Sequence, residues 1–132
     1  MKKTILMIDD EKDFCFFVSK NLETTGQFCV KYATNPDMGI RMARTQAPDL
    51  IVLDINMPRK NGLEVLKILK NDLKTVSIPV IMLTALSDDE TREKASWLYN
   101  ESYLTKPVSC ATLRAEIEKV LENTNVLRKG IK

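Results

Sequence analysis

The side chains able to do chemistry stand at the ends of short apolar runs. Asp9 and Asp10 follow Ile5-Leu6-Met7-Ile8, Asp54 follows Leu50-Ile51-Val52-Leu53, Thr84 follows Val80-Ile81-Met82-Leu83, and Lys106 follows Tyr103-Leu104-Thr105. Two carboxylates brought to ~4 Å repel by about 4 kcal/mol at an effective dielectric of ~20. A group of them must shift its pKa values or hold a cation. Oxygen ligands alone suit a hard divalent ion, with Mg2+ preferred over Zn2+. A carboxylate can also attack phosphorus and become an aspartyl phosphate. A metal ion and the Lys106 ammonium would neutralise the incoming phosphoryl oxygens, and the Thr84 hydroxyl could donate to one of them. Each residue alone has a plainer reading: an acid in a turn, a helix cap, a surface lysine. Their common position at run ends favours one site, built to take up a phosphoryl group on Asp54.

The rest of the composition narrows the field. The 132 residues suit a single domain with one core. There is no histidine, which excludes histidine general acid–base catalysis and histidine-ligated metals. Cys15, Cys29 and Cys110 are far apart and odd in number, so they read as reduced thiols of a cytoplasmic protein. The apolar run after Met1-Lys2-Lys3 meets Asp9-Asp10 too soon for a signal peptide, and no stretch is long enough to span a membrane. The net charge of +2 is small, and basic residues do not cluster with aromatics, so direct nucleic-acid binding has no support.

The elements that must position these residues alternate. Strands are expected at Thr4–Ile8, Phe28–Ala33, Leu50–Leu53, Pro79–Leu83 and Tyr103–Leu104. Most are continuously apolar, as strands buried on both faces are. The polar break at Lys31 suits a sheet edge. Between the strands, helices are expected with apolar faces at Phe14, Phe17, Val18 and Leu22, then at Ile40, Ala43 and Ala47, then at Leu63, Leu66, Leu69 and Leu73 with Val65 and Ile68. Gly26 and Pro48 stop the first two, and Asn35-Pro36 starts the second. Ser87-Asp88-Asp89-Glu90 is a capping box for a fourth helix, and Ser109 caps a fifth, with Leu113, Ile117, Val120 and Leu121 on one face. Strand–helix repeated in this way implies an α/β fold, a doubly wound parallel sheet with right-handed crossovers, two helices on one face and three on the other. The domain should occupy 1–123, leaving 124–132 as a frayed tail or the start of a linker. All carboxyl ends of a parallel sheet lie at one edge, where such sheets bind ligands.

With these residues in place, the chain resembles the receiver domain of bacterial two-component response regulators. The resemblance rests on Ile8-Asp9-Asp10-Glu11, on Leu53-Asp54-Ile55-Asn56-Met57-Pro58 with Gly62, on Leu83-Thr84-Ala85, and on Tyr103-Leu104-Thr105-Lys106-Pro107. It covers the chain from Lys3 to about Asn123. It implies a flavodoxin-like five-stranded sheet in the order 2-1-3-4-5 with five helices. Asp54 matches the phospho-acceptor, supplied by a phosphohistidine on a sensor histidine kinase or phosphotransfer protein. Asp10 and Asp54 match the Mg2+ carboxylates, with Asp9 nearby, and the main-chain carbonyl of Asn56 matches a third ligand. Lys106 matches the lysine that pairs with the phosphoryl group, and Lys106-Pro107 a peptide bond usually cis in the family. Thr84 and Tyr103 match the switch pair. The implied output is a changed surface on the fourth helix, fifth strand and fifth helix, a face for a partner, an output domain or a homodimer. Self-phosphorylation and self-dephosphorylation are the only chemistry implied, so the chain is expected not to be an enzyme in the ordinary sense.

One departure is Tyr99-Asn100, where the family commonly has Gly-Ala. The helical phase of Thr91, Ala95 and Leu98 puts Trp97 towards solvent, on or beside the partner face. Two other readings stay open. A phosphohydrolase of the haloacid-dehalogenase type also uses a strand-end Asp, a Thr, a Lys and Mg2+, but it needs a second Asp where this chain has Asn56, and its nucleophile usually lies on the first strand. A degenerate receiver would bind partners without phosphate.

Overall fold

Leu50-Ile51-Val52-Leu53-Asp54 forms the central strand of the computed structural model, and every one of its residues is buried. The structure describes residues 2–85 and 102–130, with side chains described through residue 124. In chain order the strands are β1 (Lys3–Ile8), β2 (Phe28–Ala33), β3 (Leu50–Asp54), β4 (Val80–Thr84) and β5 (Ser102–Thr105). The helices are α1 (Lys12–Thr24), α2 (Pro36–Gln46), α3 (Gly62–Lys70) and α4 (Cys110–Gly130), the last being the fifth helix expected from the sequence. The expected capping box at Ser87–Glu90, Trp97 and Tyr99-Asn100 lie outside the described residues.

The sheet has five strands in the order β2-β1-β3-β4-β5, with all neighbours parallel. Alternate side chains of a strand face opposite sides, and β3 serves two cores. Leu50 and Val52 pack with Val18 and Leu22 of α1 and Leu113, Ile117 and Val120 of α4. Ile51 and Leu53 pack with Ala43 of α2 and Val65, Leu66 and Leu69 of α3. Lys31 is exposed on β2, as an edge strand permits.

Several ends are set as the sequence leads one to expect. Asn35 accepts a hydrogen bond from the Met38 amide at 2.8 Å and caps α2 above Pro36. Ser109 caps α4, its hydroxyl accepting from the Thr112 amide at 3.0 Å. Gly26, at φ +76°, takes the left-handed turn after α1 that a Cβ would resist.

Three local expectations need correction. On α1 the buried residues are Cys15, Val18, Ser19 and Leu22, whereas Phe17 is 65% exposed. Small Cys15 and Ser19 form the inner face, and Phe17 stands about 100° round the helix from Val18. Ala47 is exposed and left-handed (φ 46°), so it terminates α2 instead of extending its face. Leu73 lies beyond α3 and is 95% exposed. The helix ends early because Thr75 Oγ1 donates to the Leu69 carbonyl at 2.6 Å and the chain turns there. The last helix, α4, runs to Gly130.

Candidate functional site

The parallel sheet delivers Asp9, Asp54, Thr84 and Lys106 to one edge. Asp9 follows β1, its amide donating to the Ala33 carbonyl of β2 at 3.1 Å. Asp54 is the last residue of β3, and the Ile55 amide after it bonds the Leu83 carbonyl at 2.8 Å. Thr84 ends β4 opposite Thr105, and the Lys106 amide donates to the Thr84 carbonyl at 2.6 Å. The Lys106-Pro107 bond is cis.

The loop after Asp54 is pinned from two directions. The Gly62 amide reaches the Ile55 carbonyl at 2.8 Å. A Cβ on Gly62 would stand 2.6 Å from Ile55 Cα and run into the Asp54 carbonyl oxygen, so only glycine lets α3 start this close. Asn56 donates its amide to Asp54 Oδ1 at 3.1 Å and accepts the Ala85 amide on its side-chain oxygen at 2.9 Å. It therefore ties the loop after β3 to the end of β4.

Charge concentrates where exposure is least: Asp9 is 1% and Asp54 2% exposed. Burial first, then the neighbouring Asp9 charge, pushes the Asp54 carboxyl up from 3.8 to about 7, against the pull of Lys106 and the Asn56 amide. Asp9 is also raised, chiefly by burial, although Lys106 and the Glu11 amide oppose this. Burial alone would lower Lys106, but its bonds to Glu11 and Asp9 outweigh it and the net shift is upward. Lys106 Nζ lies 2.9 Å from Asp9 Oδ2, 2.8 Å from Glu11 Oε1 and 3.9 Å from Asp54 Oδ1. It also stands 4.7 Å from the centre of the Phe14 ring.

Carboxylate oxygens of Asp9, Glu11 and Asp54 all lie within 4.8 Å of one another, a set that could hold a metal ion. The set contains only oxygens and two buried carboxylates, both raised chiefly by burial and Asp54 further by the Asp9 charge, which fits a hard divalent cation. Asp10 is exposed and outside that set, although its charge still raises Asp54. Asn56 is exposed, with its amide on Asp54 Oδ1, and Tyr103 is half-buried against the core on the α2–α3 side. Glu11 was not singled out by sequence, beyond following Asp9-Asp10. Nothing in the sequence signals the Phe14 ring under Lys106. Cys15, whose Sγ lies 3.5 Å from the Asp9 carbonyl, is pushed up to about 12 by burial and the nearby carboxylates, so it is no nucleophile here.

The comparisons with known proteins agree with this geometry. The family model of the response regulator receiver domain matches residues 5–118. The chain belongs to that family. Among curated relatives, the phosphate regulon transcriptional regulatory protein PhoB of Pseudomonas aeruginosa is 36% identical over 122 residues, covering 92% of this chain and 53% of the relative. The alkaline phosphatase synthesis transcriptional regulatory protein PhoP of Bacillus subtilis is 32% identical over 126 residues, covering 96% of this chain and 51% of the relative. The chain thus spans about half the length of the curated relatives it matches. Among solved structures, the receiver domain of Francisella response regulator 1452 superposes with a TM-score of 0.84 at 28% identity, covering 93% of this chain and 99% of that one. This receiver domain is a signalling module of the two-component type, and its family implies a phosphoryl-accepting aspartate. Among its described residues no helix is long and apolar enough to cross a membrane.

Proposed function

We propose that Asp54 accepts the phosphoryl group of this receiver and that Asp9, Asp10, Lys106 and Thr84 serve the transfer. One observation carries the reading: Asp54 is almost wholly buried at a strand end, yet surrounded by Asp9 and Lys106. A structural acid at such a position would be a burden on stability. In the transfer, an Asp54 oxygen attacks phosphorus and the bond from phosphorus to the donor breaks. Its electron pair leaves on the phosphohistidine nitrogen or, for acetyl phosphate, on acetate. Asp9, Asp10, Asp54 and the main-chain carbonyl of Asn56 would hold Mg2+, which supplies charge neutralisation when bound. Lys106 then pairs with a phosphoryl oxygen, and Thr84 donates to another.

The donor partner is a sensor histidine kinase or phosphotransfer protein. An open groove of about 740 Å³, lined by Phe14, Phe17, Lys106, Pro107 and Val108 among others, gives such a partner a seat beside the site. Thr84 and Tyr103 form the switch pair. The output face joins β5 and α4 with the fourth helix expected from the sequence, which falls outside the described residues. That face controls a partner or output domain, or forms a homodimer. The receiver unit is 1–123, the end of α4 from residue 124 onward serves as a tail or the start of a linker, and the domain works in the cytoplasm without touching nucleic acid itself. Its only chemistry is its own phosphorylation and dephosphorylation.

Incubation with acetyl phosphate and Mg2+ tests the reading. The protein should gain the mass of one acid-labile phosphate, and Asp54→Asn should gain none. Phosphate persisting on the variant would exclude Asp54 as the acceptor.

A further inference from the structure

Lys106 does not touch the residue it is meant to serve. An ammonium has three N–H donors. One goes to Asp9 Oδ2 at 2.9 Å and one to Glu11 Oε1 at 2.8 Å, while Asp54 Oδ1 at 3.9 Å is beyond hydrogen-bond reach. The two carboxylates differ in kind. Asp9 is buried, and its other oxygen accepts the Glu11 amide at 2.9 Å, which folds residues 9–11 on themselves. Glu11 is exposed over most of its side chain and makes no cap bond at the start of α1, so its carboxylate is free to reach across to β5. The Phe14 ring backs the ammonium.

We propose that Glu11 is a positioning residue that holds Lys106 off Asp54 in the unphosphorylated protein, and so raises the concentration of small phosphodonor needed to react. The inference rests on Asp54 being the acceptor. Without Glu11, the ammonium keeps its Asp9 anchor and pivots about an ångström onto Asp54. An incoming phosphoryl dianion then meets an ammonium released from Glu11 and already standing beside the acceptor. Because Glu11 is exposed and caps nothing, its loss leaves no orphaned buried charge and should not disturb folding.

The test uses Glu11→Ala and Glu11→Asp, with the unmutated protein and acetyl phosphate as donor. Aspartate keeps the charge but is one methylene too short to hold Lys106. Phosphorylation of the unmutated protein on Asp54 is checked first, and its failure would remove the underlying reading and not this inference alone. Given that, both variants should lower the acetyl phosphate KM about three- to tenfold with kcat changed less than twofold. A crystal structure of metal-free Glu11→Ala should show Lys106 Nζ within about 3 Å of Asp54. An unchanged KM in Glu11→Ala overturns the proposal, as does an unmoved Lys106. A Glu11→Asp variant with the unmutated KM also overturns it, since plain charge repulsion would then be the cause.

Discussion

At the scale of the residue, Asp54 carries a conflict between burial and charge. Its carboxyl is raised from 3.8 to about 7, with burial the first cause and Asp9 the second. A group raised on folding binds more protons in the folded state, so stability is fully present below the unfolded value and is lost as pH rises through the folded one. Asp9 is raised too and acts in the same direction. The upward shift of Lys106 acts only above its ordinary 10.5 and leaves this window untouched. The metal-free protein should therefore lose stability from about pH 4 to about pH 7. Asp54→Asn should flatten that loss and exceed the unmutated protein by about 2 kcal/mol at pH 8. Added Mg2+ should restore the unmutated protein and not the variant. Urea melts at pH 5 and pH 8, with and without Mg2+, measure all of this, and identical slopes for the two proteins would contradict it.

At the scale of the element, the segment from Asp54 to α3 is where backbone geometry holds the site. Gly62→Ala drives a Cβ into the Asp54 carbonyl and Ile55 Cα, backbone atoms that cannot rotate away. It should cost about 3 kcal/mol and slow phosphorylation with it. The far end of the same helix makes a contrast. Leu69 is 1% exposed and Leu73 is 95% exposed, although both follow the same leucine spacing. Leu69→Ala should cost about 3 kcal/mol, while Leu73→Ala should stay within about 0.5 kcal/mol. Denaturant unfolding of the two variants separates them; equal losses would mean that α3 continues to Leu73.

At the scale of the whole molecule, Thr84 links the site to the far edge of the sheet. It is 3% exposed at the end of β4, and β4 pairs with β5, which carries Tyr103 and leads to Lys106 and α4. Phosphate on Asp54 should draw the Thr84 hydroxyl inward and let Tyr103 turn in, a shift between two populated states. Amide resonances of β5 and α4 should move on phosphorylation. Thr84→Ala should still be phosphorylated but lose at least half of that displacement. Unaltered β5 and α4 amides in the phosphorylated unmutated protein would count against the switch.

The sequence alone determined which strands exist, their parallel arrangement and the edge where Asp9, Asp54, Thr84 and Lys106 meet. Continuous apolar runs leave a strand no solvated face, and parallel strands must put all their carboxyl ends together. The caps at Asn35 and Ser109 were equally local, since each bonds an amide three residues on. Only the tertiary structure decided what spacing cannot encode. The inner face of α1 took Cys15 and Ser19 beside Val18 and Leu22 and left Phe17 outside, because close packing against the sheet, not hydrophobicity alone, selects the side chains there. The end of α3 was set by Thr75, which bonds the Leu69 carbonyl from beyond the helix. The partners of Lys106 were decided the same way. Asp9 and Glu11 follow β1, 97 and 95 residues before Lys106, and only the folded sheet edge places Glu11 Oε1 nearer to the ammonium than Asp54 Oδ1.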